Sequence, residues 1–150
     1  AKIGWLVEQT ERLTGLDHFG VYLTALFEAD MLFGNEDRHL NNIAVLRRGE
    51  VFDYCPMFDF GAGLLSNVRD YPMDVEPKVL LSQLRAQPMN AQFVRQVHAA
   101  QANYGAQIRY DSSREDIVNA LAEPLAFYAE RDRSYISDRV MFCIQTQYRK

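Results

Sequence analysis

The chain is poor in cysteine: Cys55 and Cys143 are the only two, and neither stands in a metal-ligand spacing. Two thiols make no disulfide framework, so a reducing cytoplasm is the expected compartment. Long hydrophobic runs are missing too, and none of the apolar stretches has the length of a membrane span. The opening Ala1-Lys2-Ile3-Gly4-Trp5 lacks the charged start and long apolar core of a signal peptide. Positive charge is not in excess. Sixteen Lys and Arg against twenty Asp and Glu give a net charge of -4, which leaves no electrostatic case for a nucleic-acid binder. Repeats, low-complexity tracts and a domain boundary are also lacking. The first residue is not methionine, so a processed product or a fragment of a longer protein is expected.

What is present is apolar. Of 150 residues, 48% are hydrophobic and 12% aromatic, which excludes a disordered tail and predicts one packed domain over residues 1–150. The pattern is α+β and predominantly helical. Residues 3 to 13 read as a short helix with Ile3, Leu6, Val7 and Leu13 roughly on one side. Thr14-Gly15-Leu16-Asp17 breaks it, with Asp17 expected to cap the next helix. From His18 to Phe33 the chain is apolar nearly all round, the mark of a helix in the middle of a domain. Gly34-Asn35 stops it and delivers Asp37 from the core. Ile43–Leu46 and Val51–Tyr54 flank Arg47-Arg48-Gly49-Glu50 as a hairpin. A four-residue turn would pair Leu46 with Val51 and set Asn42 opposite Cys55. Arg47-Arg48 reads as a solvated turn and Asp53 as a solvent-facing strand position, while Tyr54, Phe58 and Phe60 are expected in the core. A loop runs to Pro77, followed by helices over 78–86, over the Phe93-Val97-Ala100-Tyr104 stripe, and after Ser113, which has the capping-box spacing. Pro124 should kink or split that helix, and a last one carries Ile136, Val140, Cys143 and Ile144.

The chemistry is concentrated between Gly34 and Gly61. Phosphoryl transfer needs an acceptor for the incoming hydroxyl's proton and oxygen ligands that hold magnesium against nucleotide phosphates. Asp37, on a loop at the end of a rigid helix, suits the first role. Asn42 and Asp59, one neutral and one charged oxygen donor at opposite ends of one hairpin, suit the second. Gly61 and Gly63 let the chain leave Asp59 on a sharp path.

These residues carry a family resemblance. Asp37-Arg38-His39-Leu40-Asn41-Asn42, a hairpin, then Asp59-Phe60-Gly61 resembles the catalytic and metal loops of the HipA-like kinases. The phosphoinositide kinases share a similar Asp-Arg-His-x-x-Asn, and Gly34-Asn35-x-Asp37 favours the HipA-like branch; Arg38 is closer to the lipid kinases and to some HipA-like proteins than to HipA itself. By chance an Asp-Phe-Gly arises in about 2% of chains this long, the longer pattern in well under roughly 0.1%. Both occur here in the right order, so the pairing carries the weight. The resemblance implies a protein-kinase-like C-terminal lobe, with ATP and magnesium as cofactors. Asp37 is then the catalytic base, and His39 a charge-stabilising neighbour, with a structural role for His39 equally weighted. Asn42 and Asp59 are the magnesium ligands, Asn42 preferred over Asn41 by its five-residue step from Asp37. Phe60 and Gly61 belong to the cofactor-binding loop, and Asn35 and Arg38 support it. The partners it implies are a protein substrate and an antitoxin-like protein, with no membrane or direct nucleic-acid contact.

Half of such a site is missing from the pattern. The 36 residues before Asp37 hold no Gly-rich phosphate loop, and their only lysine is Lys2. A nucleotide-cradling lobe must come in cis or in trans, and the chain by itself is expected to be inactive. The rival readings are a catalytically dead interaction module, a lipid-kinase lobe and a metal-dependent phosphoester hydrolase using Asp37, His39 and Asp59. Arg69 is the only cation between Asp59 and Lys78, which disfavours an anionic lipid headgroup. Three histidines, at 18, 39 and 98, are too few and too scattered for a binuclear hydrolase; His18 and His98 read as a helix-start and a helix-surface residue. Ser66, Tyr71 and Ser82 lie on or just after the stretch where kinases keep an activation loop.

Overall fold

The computed structural model describes residues 2–149 and is an α+β chain dominated by helices. In order these are α1 (Lys2–Thr14), α2 (Phe19–Phe33), the hairpin strands β1 (Val45–Arg48) and β2 (Val51–Tyr54), α3 (Pro77–Leu81), α4 (Phe93–Tyr104), α5 (Arg114–Leu125) and α6 (Glu130–Tyr148). Among the described residues no helix is long and apolar enough to cross a membrane.

Helix α2 is the axis, as its all-round apolar surface requires. Phe19, Leu23, Leu26 and Phe27 are each 1% exposed or less and pack with Ile3 and Val7 of α1 and Val97 and Ala100 of α4. Close approach of α2 and α4 depends on Gly20, where an added Cβ would lie 2.4 Å from the Tyr104 ring. On the other side, Leu80, Leu81, Leu84, Phe93 and Cys143 form a second cluster with Leu65. A third joins Ile117 of α5 to Val140, Met141 and Ile144 of α6. The sharp stop expected at Gly34 is there: it adopts φ 63°, and the Asn35 amide donates to the Asp30 carbonyl at 2.8 Å.

Several boundaries differ from the pattern-based expectation. Asp17 does not cap α2; His18 occupies the cap position with φ 63°, and the Glu11 carboxylate, reaching over from α1, accepts from the Phe19 amide at 2.8 Å. The hairpin turns on two residues, Gly49 and Glu50, so Arg48 pairs with Val51 and Leu46 with Asp53. Gly49, at φ 64°, supplies the left-handed conformation that a two-residue hairpin turn requires. Arg47 and Arg48 thereby become strand residues, both exposed, as is Asp53. The helix expected over 78–86 stops at Leu81. The capping box forms: Ser113 Oγ accepts from the Asp116 amide at 3.2 Å, and the Asp116 carboxylate accepts from the Ser113 amide at 2.7 Å. Pro124 splits the following pattern, since α5 ends at Leu125 and Tyr128 is left outside it, 52% exposed. Phe58 lies at the surface, 37% exposed, because its carbonyl rather than its ring faces inward to Arg38.

Burial of weak acids sets an alkaline limit on stability. The Cys143 thiol is pushed up from 9.0 to about 11, chiefly by burial. The Tyr22 and Tyr104 hydroxyls are raised mainly by the same cause, and that of Tyr71 by burial and by the Glu36 carboxylate it donates to. Each folded value lies above the unfolded one, so the unfolded chain loses its protons first as pH rises. Stability is therefore full below the ordinary thiol value and declines through the folded one. Urea midpoints should hold steady up to about pH 8.5 and fall between about pH 9 and 11. Midpoints that rise through that window would contradict the burial of these groups.

Candidate functional site

The end of α2 is the platform on which the site is built. Asp30, in its last turn, is fully buried, and so are Asn35 and Arg38 just beyond it. A buried acid needs partners. Asp30 has three bonds: Arg38 Nε donates to Oδ2 at 2.9 Å, Arg38 Nη2 to Oδ1 at 2.9 Å, and Asn35 Nδ2 to Oδ1 at 2.8 Å. Burial raises the Asp30 carboxyl above its ordinary value, while Arg38 and Asn35 pull it back. A bidentate guanidinium at this distance keeps the pair ionised.

Arg38 then reaches onward from the pair. Its Nη1 donates to the Asn42 carbonyl at 2.9 Å and to the Phe58 carbonyl at 2.8 Å. Its guanidinium carbon sits 4.9 Å from the centre of the Phe60 ring, which also meets Phe33 edge-on. One side chain thus ties the helix, the Asp37 loop and the Asp59 loop together. Phe60 is partly buried against the core around α2, as expected of it.

The chain turns at Asp59, which itself takes φ 58°, a left-handed conformation that Asp tolerates better than most residues. Gly61 does not supply the sharp path: its φ is not left-handed, and an added Cβ would meet nothing closer than Asp59 Oδ1 at 4.0 Å. Gly63 does. A Cβ there would come within 3.1 Å of the Phe60 carbonyl and 3.2 Å of the Phe33 carbonyl, so any other residue would push this loop a few tenths of an ångström off the end of α2. The Leu64 amide completes the contact by donating to the Phe33 carbonyl at 2.6 Å.

These constraints bring Asp37, Asn42 and Asp59 together. Asn42 closes a single 3-10 turn, Leu40–Asn42, and is 7% exposed. Its Nδ2 donates to Asp59 Oδ2 at 2.7 Å and to the Asp37 carbonyl at 2.9 Å. Asn42 Oδ1 and Asp59 Oδ1 accept no hydrogen bond from the described residues. The Asp37 side chain is 55% exposed, open to an incoming group. Asn41 is exposed, which agrees with the choice of Asn42 as the inward amide.

His39 Nε2 stands 4.0 Å from Asp37 Oδ1, too far for a hydrogen bond, and Nδ1 is buried without a partner. The carbonyl bond expected of an imidazole that merely holds the loop is not made. His39 instead borders a cleft of about 510 Å³ lined also by Asn41, Gln87, Met89 and Asn90.

The donor set suits a hard cation. Magnesium prefers oxygen ligands and takes one or two from protein, filling the rest from water and phosphate. A neutral amide oxygen without a partner beside a carboxylate meets that description. Among the described residues no three His, Cys, Asp or Glu side chains gather where they could hold an ion. A cation held here would have to draw on the Asn42 amide oxygen as well as on carboxylate.

Two acids that matter here are not part of the motif. Asp30 anchors Arg38. Glu36 accepts from the Tyr71 hydroxyl and, at 2.7 Å, from the Arg85 amide, while its carbonyl accepts from Gln87 Nε2 at 3.0 Å. It fastens the loop after Asp59-Phe60-Gly61 to the Asp37 loop. An acid inside an otherwise apolar helix was a visible signal for Asp30; nothing in the pattern marked Glu36. Comparison with protein-family models, with curated proteins and with solved structures finds no match to this chain.

Proposed function

We propose that the chain is the metal- and base-bearing lobe of an ATP-dependent serine/threonine protein kinase of the HipA-like kind. The observation that carries the reading is the contact between Asn42 and Asp59, at 2.7 Å, beside the Asp37 loop. The spacing of the motif asked for this meeting, and the two residues are 17 positions apart in sequence. Asp37 accepts the proton of the acceptor hydroxyl as the oxygen attacks the terminal phosphate of ATP. Asn42 and Asp59 would hold magnesium. Magnesium held there would supply positive charge against the phosphate oxygens. His39 lines the cleft next to Asp37, where an acceptor side chain would approach. The cytoplasm is the compartment this reading calls for, and an antitoxin-like protein is a partner it suggests.

A lobe that docks a partner without catalysis is the second reading. Phe127 at 87% exposure, with Tyr128 and Tyr135 nearby in sequence at 52% and 68%, offers aromatic surface of the kind that interfaces favour. Binding of ATP separates the two. On the kinase reading the chain binds ATP weakly and only with magnesium, and calorimetry detects no binding to either Asp59→Ala or Asn42→Ala. Equal binding in those variants, or binding that ignores magnesium, would leave the interaction module. The chain alone should transfer no measurable phosphate until a nucleotide-covering lobe is supplied.

A further inference from the structure

We propose that Asp30 is a positioning residue for the metal pair, acting through Arg38 and Asn35 to fix the Asp37 loop against the Asp59 loop. The inference rests on the metal reading above but makes a claim about the metal-free chain as well.

Every polar contact of this buried group runs in one direction. Asp30 takes the two Arg38 bonds and the Asn35 bond on its carboxylate, at 2.8–2.9 Å. Arg38 passes the constraint to the Asn42 and Phe58 carbonyls, the main chain of one metal ligand and of the neighbour of the other. Asn35 passes it to the Asp59 carbonyl, at 3.3 Å. The three recipients belong to the two loops that carry Asn42 and Asp59.

Stability alone does not call for such a group. A buried ion pair replaced by well-packed apolar residues is often no less stable. Asn35 makes the same point from its own side chain. Its Oδ1 is buried with no partner, so the amide leaves one oxygen unsatisfied while placing its N–H groups on Asp30 and on Asp59. Asp59 also needs restraint, because its left-handed backbone, φ 58°, carries more strain than it would at glycine, even though Asp tolerates it better than most residues. A clamp on the carbonyl of that same residue holds the strain where a metal ligand must point.

Three variants of the full chain test this: Asn35→Ala, which leaves the ion pair intact; Asp30→Asn; and the double variant Asp30→Leu with Arg38→Met, which removes the buried charges together. Two readouts apply, Mn²⁺ affinity by electron paramagnetic resonance and amide hydrogen exchange over residues 37–42 and 58–61 without metal. Asn35→Ala should melt within about 8 °C of the native chain, bind Mn²⁺ at least tenfold more weakly, and exchange at least tenfold faster over 58–61. The double variant should melt closer to the native chain than Asp30→Asn does, yet keep the weak binding and fast exchange. If the double variant recovers affinity and protection along with its melting temperature, Asp30 is a structural residue only. The idea is overturned equally if Asn35→Ala leaves both readouts unchanged. Should the native chain bind no Mn²⁺, the metal reading fails, and the exchange rates still decide whether Asp30 positions the two loops.

Discussion

Arg38→Met should destabilise the protein by about 3–5 kcal/mol, because it strands the buried Asp30 carboxylate without its counter-charge. For a chain of this size that lowers the melting temperature by about 6–20 °C. Arg38 is fully buried and makes four hydrogen bonds, two to Asp30 and one each to the Asn42 and Phe58 carbonyls. Methionine matches much of its bulk, so the loss is electrostatic and polar and leaves little cavity. The effect should also depend on pH in a definite direction. Burial already raises the Asp30 carboxyl, and without the guanidinium it rises further. A folded value above the unfolded one means stability is lost as pH climbs between them. The variant should therefore be closest to the native chain at the acid end of the range and furthest from it near neutrality. Arg47→Met, at an exposed strand position, should change stability by less than about 0.5 kcal/mol. Thermal and urea melts of both at pH 5 and pH 7.5 make the comparison. A loss at Arg38 no larger than at Arg47 would mean the buried pair does not hold the site together.

Asp37→Asn should cost the most in activity. With a nucleotide-covering lobe supplied in cis or in trans, phosphoryl transfer should fall by about 10²–10⁴-fold, the usual contribution of a positioned general base. Asparagine keeps the size of the side chain and the Asp37 main-chain carbonyl that accepts from Asn42, so the Asn42–Asp59 contact should stay in place. The loss should appear equally in kcat and kcat/KM, with the Kd for magnesium and ATP unchanged, because on the proposed reading the carboxylate acts on the reacting hydroxyl rather than on the nucleotide. Transfer that persists in this variant would remove Asp37 from the role of base.

Much of this was legible in the chain. The apolar run from His18 to Phe33 announces a central helix by its lack of a polar face, and Gly34-Asn35 announces its end. The two ends of the hairpin bring Asn42 and Asp59 together even though the turn has two residues, Gly49 and Glu50, rather than the four that the pattern suggests, a register shift of two positions. A shift of two keeps every side chain on its face, which is why Tyr54 still packs partly buried against the core and Asp53 is exposed. What the pattern does not carry is contact between residues far apart in sequence. Glu11 capping α2, Glu36 fastening Tyr71 and Arg85, and the Arg38 guanidinium collecting carbonyls at 42 and 58 all depend on how elements pack. For the sharp bend after Asp59 the pattern offers two glycines, Gly61 and Gly63. Only Gly63 is needed, because the constraint comes from the Phe33 carbonyl, which sequence proximity cannot reveal.

The most direct test of the site is where a divalent ion binds. Mn²⁺ added in small steps to the isotope-labelled chain broadens the amide resonances nearest to it. The loops around Asn42 and Asp59 should broaden first, and Asp59→Asn should abolish that pattern. Broadening that begins instead at exposed acids such as Asp70 and Asp74, or that is the same in Asp59→Asn, would contradict the assignment of Asn42 and Asp59 as a magnesium site.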